Sequence, residues 1–313
     1  MLFLLTNDDG IDAPGLTAQY EALTSFLAVT SPQSEGETRR PEIVVVAPDR
    51  GRSECGHSVT TGRELFLREV RPGWFSLDGT PVDCVRVALT TICPSATAVF
   101  SGINAGANVG VDLLVSGTFA AAREAALLGR PAMAISHYRR PDVPKTWEHA
   151  AKWLRPVFAQ YFEHYATRLY PQDTEALRPE EGGEVLHGPL WNVNLPACDP
   201  EGPPPTIVHC PVERRPLVRQ GKWMAREIRW QRLHGTSGQE PIADVNRTRA
   251  IDDEKSTSGP TMRQAGSHSD KNLREGQVEL ASDFHGRPRD EGTDVERCFS
   301  GDLTISVLQP HLS

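Results

Sequence analysis

Cysteine is sparse and unpatterned in this chain: six in 313 residues (Cys55, Cys84, Cys93, Cys198, Cys210 and Cys298), with no CxxC pair. That excludes a thiolate zinc site and a disulfide scaffold, and it points to reduced thiols in a cytoplasmic protein. Positive charge is in deficit too. Lys and Arg total 33 against 41 Asp and Glu, a net charge of −8 that excludes a broad surface for duplex nucleic acid. Small anionic ligands stay open, because a bound metal reverses the local field. No apolar run approaches membrane-spanning length, and the short apolar N-terminus has no basic leader, so a soluble protein off the membrane is expected. Two phosphate motifs are missing. Without GxxxxGK(S/T) there is no P-loop NTPase, and without GxGxxG after the first apolar run a dinucleotide oxidoreductase is unsupported. There is no internal repeat.

What is there begins with Leu2-Phe3-Leu4-Leu5-Thr6, a short buried strand, ended by the turn Asn7-Asp8-Asp9-Gly10. Leu16, Tyr20, Leu23 and Leu27 recur at helical spacing behind Pro14, predicting a helix over 14–27, and a polar loop runs from Thr30 to Pro41. Ile43–Ala47 has the β-branched continuity of a strand buried on both faces. Extended pieces at Leu65–Leu67 and Trp74–Leu77 suggest a hairpin. Thr80-Pro81-Val82-Asp83 has the form of a capping box opening a helix. Further strands are expected at Ala98–Phe100, Ala132–Ile135, Trp191–Leu195 and Leu303–Leu308, and helices at about 118–128 and 147–165, the latter kinked by Pro156. Residues 234–291 are polar and aperiodic and are expected to form a mobile insertion in a single α/β domain made of 1–233 and 292–313.

The chemistry converges where strands end. In an open parallel sheet, ligands bind beyond the carboxyl ends of the strands, at the point where strand order reverses. Asp8 and Asp9 follow the first strand, Pro48–Ser53 the second, and Ser101–Asn104 a later one. They offer carboxylates, a hydroxyl and an amide carbonyl, a hard oxygen set suited to Mg²⁺ or Mn²⁺. The two acids repel each other, which a cation relieves. A Gly-rich stretch, Asn104–Asp112, leads to Ser116-Gly117-Thr118 at a helix N-terminus, a ready phosphate site. Metal and phosphate cradle together imply phosphoryl chemistry.

Each piece has a structural reading as well. Asp-Asp-Gly serves as a solvated turn, and glycines 102, 106 and 110 serve as tight turns. Ser116-Gly117-Thr118 caps a helix, His57 is a hydrogen-bonded structural residue rather than a general base, and Asp83 is a cap. Convergence at one sheet edge favours the functional reading.

These residues resemble the SurE family of survival-protein nucleotidases. The blocks are Leu4–Leu16 (LLTNDDGIDAPGL), Val45–Ser58 (VVAPDRGRSECGHS), Gly79–Val85 (GTPVDCV), Ser101–Asp112 (SGINAGANVGVD) and Ser116–Gly129 (SGTFAAAREAALLG), in the family's order. The resemblance implies a Rossmann-like three-layer fold with a mostly parallel sheet and a C-terminal β-hairpin extension used in oligomerisation. It implies one divalent metal per subunit, on Asp8, Asp9, Ser53 and Asn104, and phosphate contacts from Asn108, Ser116, Gly117 and Thr118. The activity implied is hydrolysis of nucleoside 5′-monophosphates, with 3′-monophosphates as a second class, by a homodimer or homotetramer. Asp8 and Asp9 share the catalytic roles, and which of them handles the proton stays open. Thr293-Asp294, Gly301 and Ile305–Pro310 look like the family's closing segment. The chain departs from the family at Val115, where an aromatic residue is common, and in the long insertion, which with Gly221–Trp230 is similar to the plant-type members. A broader phosphomonoesterase and a non-catalytic nucleotide sensor are the alternative readings.

Overall fold

The computed structural model describes residues 1–30, 41–53, 55–165, 187–223 and 278–310. Its main unit spans Met1–Val218 and Asp283–Ser313, and a second, smaller unit spans Arg219–Ser282.

The main unit is built on strands β1 (Leu2–Thr6), β2 (Glu42–Pro48), β3 (Leu67–Arg71), β4 (Trp74–Leu77), β5 (Ala98–Asn104), β6 (Ala132–His137), β7 (Leu190–Leu195), β8 (Ile207–His209) and β11 (Leu303–Leu308). They form one nine-stranded sheet in the order β3-β4-β2-β1-β5-β6-β7-β11-β8. The run from β4 to β7 is parallel throughout, while β3 and β11 pair antiparallel to their neighbours β4 and β7. β1 lies between β2 and β5, so strand order reverses between β1 and β5, where Leu4 faces Val99 and Thr6 faces Ser101. The mostly parallel sheet expected from the sequence is therefore present. β9 (Arg219–Trp223) and β10 (Val278–Ser282) are extra C-terminal strands, an antiparallel pair in the smaller unit.

Alternation on β1 sets the layers. Phe3 and Leu5 point to one face with α1 (Pro14–Thr30) and α4 (Ala150–His164), among Phe26, Phe100, Phe158 and Tyr161. Leu4 points to the other, with α2 (Pro81–Val87) and α3 (Gly117–Leu127). The inner side of α3 is methyl groups: Ala121, Ala122, Ala125 and Ala126 are fully buried, and the helix lies over β5 and β6. Such short side chains let the helix backbone approach the sheet closely. α2 starts as predicted, with the Thr80 hydroxyl accepting from the Asp83 amide and the Asp83 carboxylate accepting from the Thr80 amide. The helix expected from Trp147 begins later, at Ala150, with Trp147 supplying the carbonyl that the Ala150 amide bonds.

Of the expected insertion 234–291, residues 234–277 lie outside the described residues, as does the polar loop at 31–40. Residues 283–291 belong to the main unit, and Arg287 is buried there, 3% exposed. Composition alone misplaced this end, because a few buried charged residues read as solvated ones when their partners are far away in sequence. A short helix, α5 (Asp294–Phe299), follows and leads into β11.

His137, at the end of β6, and His149, at the start of α4, meet Nε2 to Nε2 at 2.6 Å. The Tyr138 carbonyl can only accept, so His137 Nδ1–H donates to it (2.8 Å) and His137 Nε2 accepts from His149. Burial first, and then the charge of Arg139, pushes His137 down to about 3 and His149 to about 4. Both folded values lie below the unfolded value, so this contribution to stability is complete above about pH 6.5 and is lost as pH falls toward the folded values. Replacing His149 by Gln should shrink the stability difference from the parent by about 2 kcal/mol between pH 7 and pH 5. Urea unfolding at the two pH values measures it.

Candidate active site

The turn after β1 closes on itself. The Asn7 amide donates to the Gly10 carbonyl (2.9 Å) and accepts from the Gly10 amide (3.2 Å), a side-chain ring of the kind Asn readily makes. Asn7 thus shapes the turn, and the two residues inside it face outward to three other segments. The Asp8 carbonyl accepts from the Arg52 amide at 2.7 Å, tying the turn to the loop that carries Ser53. An Asp9 carboxylate oxygen accepts from the Ala105 amide at 3.3 Å, beside Asn104. The Asp8 carboxylate accepts a short hydrogen bond from the Thr118 hydroxyl of α3.

The contact with α3 is closer still at the backbone. A Cβ placed on Gly117 would lie 2.8 Å from the Asp8 Cβ and 3.0 Å from its Oδ2, so only glycine lets this helix terminus sit against the acid. Gly102 has a comparable reason for being glycine. Its φ is +141°, and an added Cβ would meet the Ile135 carbonyl oxygen at 2.2 Å. The β5–β6 register shifts between Ser101 and Asn104, where the chain leaves the sheet to present Asn104. The Asn104 Nδ2 donates to the Gly106 carbonyl at 2.9 Å, which orients the amide and leaves its oxygen as the remaining acceptor.

Ser116 does cap α3: its hydroxyl accepts from the Phe119 amide at 3.1 Å, and its carbonyl accepts from Ala120. Of the first helical amides, those of Gly117 and Thr118 have no intrahelical partner, and that of Thr118 reaches the Asp8 carboxylate. The capping reading of this triplet is therefore present in the structure. Asp83 acts as the expected cap and also accepts from Thr60.

Burial, and behind it the charge of Asp9, pushes Asp8 up to about 6 against the pull of the Thr118 hydrogen bond. Burial raises Asp9 as well. Two acids in this condition fit a divalent cation: their carboxylates are hard oxygen ligands, and the cation would replace the proton that burial otherwise favours.

The family model described as survival protein SurE matches residues 3–215. The chain belongs to the SurE family. A relative from Synechocystis sp. is 33% identical over 309 residues, covering 99% of this chain and 100% of its own. The protein named 5′-nucleotidase SurE from Pelobacter propionicus is 36% identical over 226 residues, 71% of this chain and 73% of its own. The crystal structure of the SurE protein from Aquifex aeolicus superposes with a TM-score of 0.64 at 25% identity, covering 100% of this chain and 95% of that one.

In this SurE-family chain, Asn108 is held more firmly than its sequence suggests. Its amide donates to Asn194 Oδ1 (2.9 Å), and its carbonyl accepts from Asn192 and Asn194 (3.0 Å each). Its side-chain amide donates to the Ser136 hydroxyl at 2.8 Å, leaving a second N–H for a ligand. Sequence reasoning passed over Asn192 and Asn194. The available signal was two amides at strand spacing, hence on one face, inside an otherwise apolar strand. Further along, the Gly110 amide donates to Asp294 (2.9 Å), and buried Arg287 pairs with Asp112. The segment beyond the insertion thus pins the loop between Asn108 and Ser116. Val115 is 47% exposed beside Leu114 at 66%.

Because the Thr118 hydrogen bond lowers Asp8, Thr118→Val should move the Asp8 titration upward. Carboxyl carbon NMR of the metal-free protein would show the displaced midpoint.

Proposed function

We propose that this protein is a divalent-metal-dependent phosphatase of nucleoside 5′-monophosphates, with nucleoside 3′-monophosphates as further candidate substrates. One observation carries the reading: the Gly117 backbone at the α3 N-terminus packs directly on the Asp8 carboxyl group, so an anion site and a paired-acid site share one wall. The names of the relatives agree with it, since members from Pelobacter propionicus and Desulforudis audaxviator are called 5′-nucleotidase SurE.

Asp8, Asp9, Ser53 and Asn104 would hold the metal, which supplies Lewis-acid polarisation of a phosphoryl oxygen and a lowered pKa for water. The chain's own residues do the rest. The amides of Gly117 and Thr118, with the helix dipole behind them, receive phosphate oxygens. Asn108, fixed by Asn192, Asn194 and Ser136, offers its free N–H to another. Preorganised donors of this kind stabilise the charge that builds on the equatorial oxygens during transfer. Asp8 and Asp9, deprotonated when they hold the cation, place their carboxylate oxygens to orient the attacking water. The same family reading carries a homodimer or homotetramer built with the C-terminal strands.

Phosphate release from AMP and GMP, with and without EDTA, tests the activity, and 3′-AMP extends the panel. Asp9→Asn should lower turnover by about a thousandfold or more. Full activity in EDTA, or in that variant, would sink the assignment. Asp8 must lose its proton to bind a cation. With its pKa near 6, Mn²⁺ affinity should fall about tenfold from pH 7 to pH 5, which calorimetric titration measures.

A further inference from the structure

Gly56-His57-Ser58 lies in one of the family blocks, yet none of the chemistry above uses His57. His57 Nε2 lies 2.8 Å from Glu124 Oε2, and Arg123 Nε lies 3.1 Å from His57 Nδ1. A guanidinium can only donate, so Nδ1 is the acceptor and Nε2–H donates to Glu124. With both ring nitrogens engaged, His57 has no lone pair left to act as a general base. The second Glu124 oxygen accepts from Arg86 Nε of α2 at 2.6 Å. Glu124 is only 4% exposed. Burial pushes its pKa up, but the His57 and Arg86 hydrogen bonds outweigh that and hold it below the usual carboxylate range.

We infer that His57 and Glu124 form a positioning latch that fixes the Ser53 loop to α3, the helix whose N-terminus makes the phosphate cradle. Upstream of Ser53 the loop is tied by the Arg52 amide to the Asp8 carbonyl. Downstream it is tied by the Gly56 amide to the Val115 carbonyl (3.2 Å), by His57 to Glu124, and by Thr60 to Asp83. Glu124 sits six residues beyond Thr118 on the same helix, roughly 9 Å along it. One rigid element therefore carries the phosphate amides, the hydroxyl on Asp8 and the anchor for the Ser53 loop. Metal side and phosphate side stay in register because both hang on α3.

The inference rests on the metal reading for the role of Ser53, but its mechanical content does not. His57→Leu removes both ring hydrogen bonds at a partly exposed position, while His57→Gln can still donate to Glu124 and accept from Arg123. In His57→Leu, amide hydrogen exchange over residues 55–60 should accelerate about tenfold, and Mn²⁺ affinity, read by paramagnetic resonance of the free ion, should fall about tenfold. kcat should fall while KM at saturating Mn²⁺ stays near the parent value, and His57→Gln should recover most of each loss. Glu124→Gln should match His57→Leu, and the double variant should be no worse than either.

Exchange at the parent rate in His57→Leu would overturn the latch whatever the metal does. Lost turnover with unchanged exchange and unchanged Mn²⁺ affinity would overturn it too, by making His57 a catalytic residue. If the parent protein takes up no Mn²⁺, the metal reading fails, while faster exchange in His57→Leu still upholds the latch.

Discussion

Two carboxyl groups, one of them almost fully buried, stand side by side at the end of the central strand, and the surrounding structure is arranged to tolerate them. Asp8 could have been solvated or neutralised by a lysine. Instead it is 5% exposed, faces another acid, and accepts from the Thr118 hydroxyl and from backbone amides of Asp8 and Thr118. An uncompensated charge there is costly, so burial raises the pKa of the group, and a cation would offset the cost of its charge. Asn7 closes the turn, Arg52 and Ala105 bring up the neighbouring loops, and Gly117 lets a helix end rest on the acid. Each of these residues supports a position that is unfavourable on its own.

Much of this was legible in the sequence, for a physical reason. β1, β2, β5 and β6 are short apolar runs ended by polar turns, and such runs have few alternatives to a buried parallel strand. The Thr80–Asp83 cap is local chemistry, complete within four residues. The acids, Asn104 and Ser116–Thr118 stood out because each falls at the end of an element whose type could be read. What stayed hidden depends on long-range partners. Asn192 and Asn194 matter because they reach Asn108, more than eighty residues earlier in the chain. Arg287 looked like part of a solvated, polar stretch because Asp112 lies 175 residues away. β8, three residues long, carries too little pattern to announce itself. His57 was visible, but its partner Glu124 was one acid among forty-one.

The post-insertion segment shows how a long excursion can be accommodated. Residues 283–291 rejoin the main unit, and Arg287 and Asp294 together grip the 3₁₀ turn at Gly110–Leu114. The loop between Asn108 and Ser116 is thereby braced from a part of the chain remote in sequence. Glu213 joins the brace: its amide donates to Asp294, and its carboxylate accepts from Thr293. The carboxylate also accepts from the Arg215 and Asp290 amides, and with Thr293 these hydrogen bonds outweigh its desolvation and hold it below its usual range.

The methyl-lined inner side of α3 has a consequence for how such a protein diversifies. With Ala121, Ala122, Ala125 and Ala126 closing the gap to the sheet, the depth of the α3 N-terminal amides relative to Asp8 is a property of the core. Close-packed interiors accept few changes in volume, so that depth is nearly frozen across sequence drift. Novelty has to enter from the rim, where Leu114 and Val115 stand exposed at the doorstep of the helix. The molecule separates what must not vary, the reach between Asp8 and the end of α3, from what is free to, the rim around it.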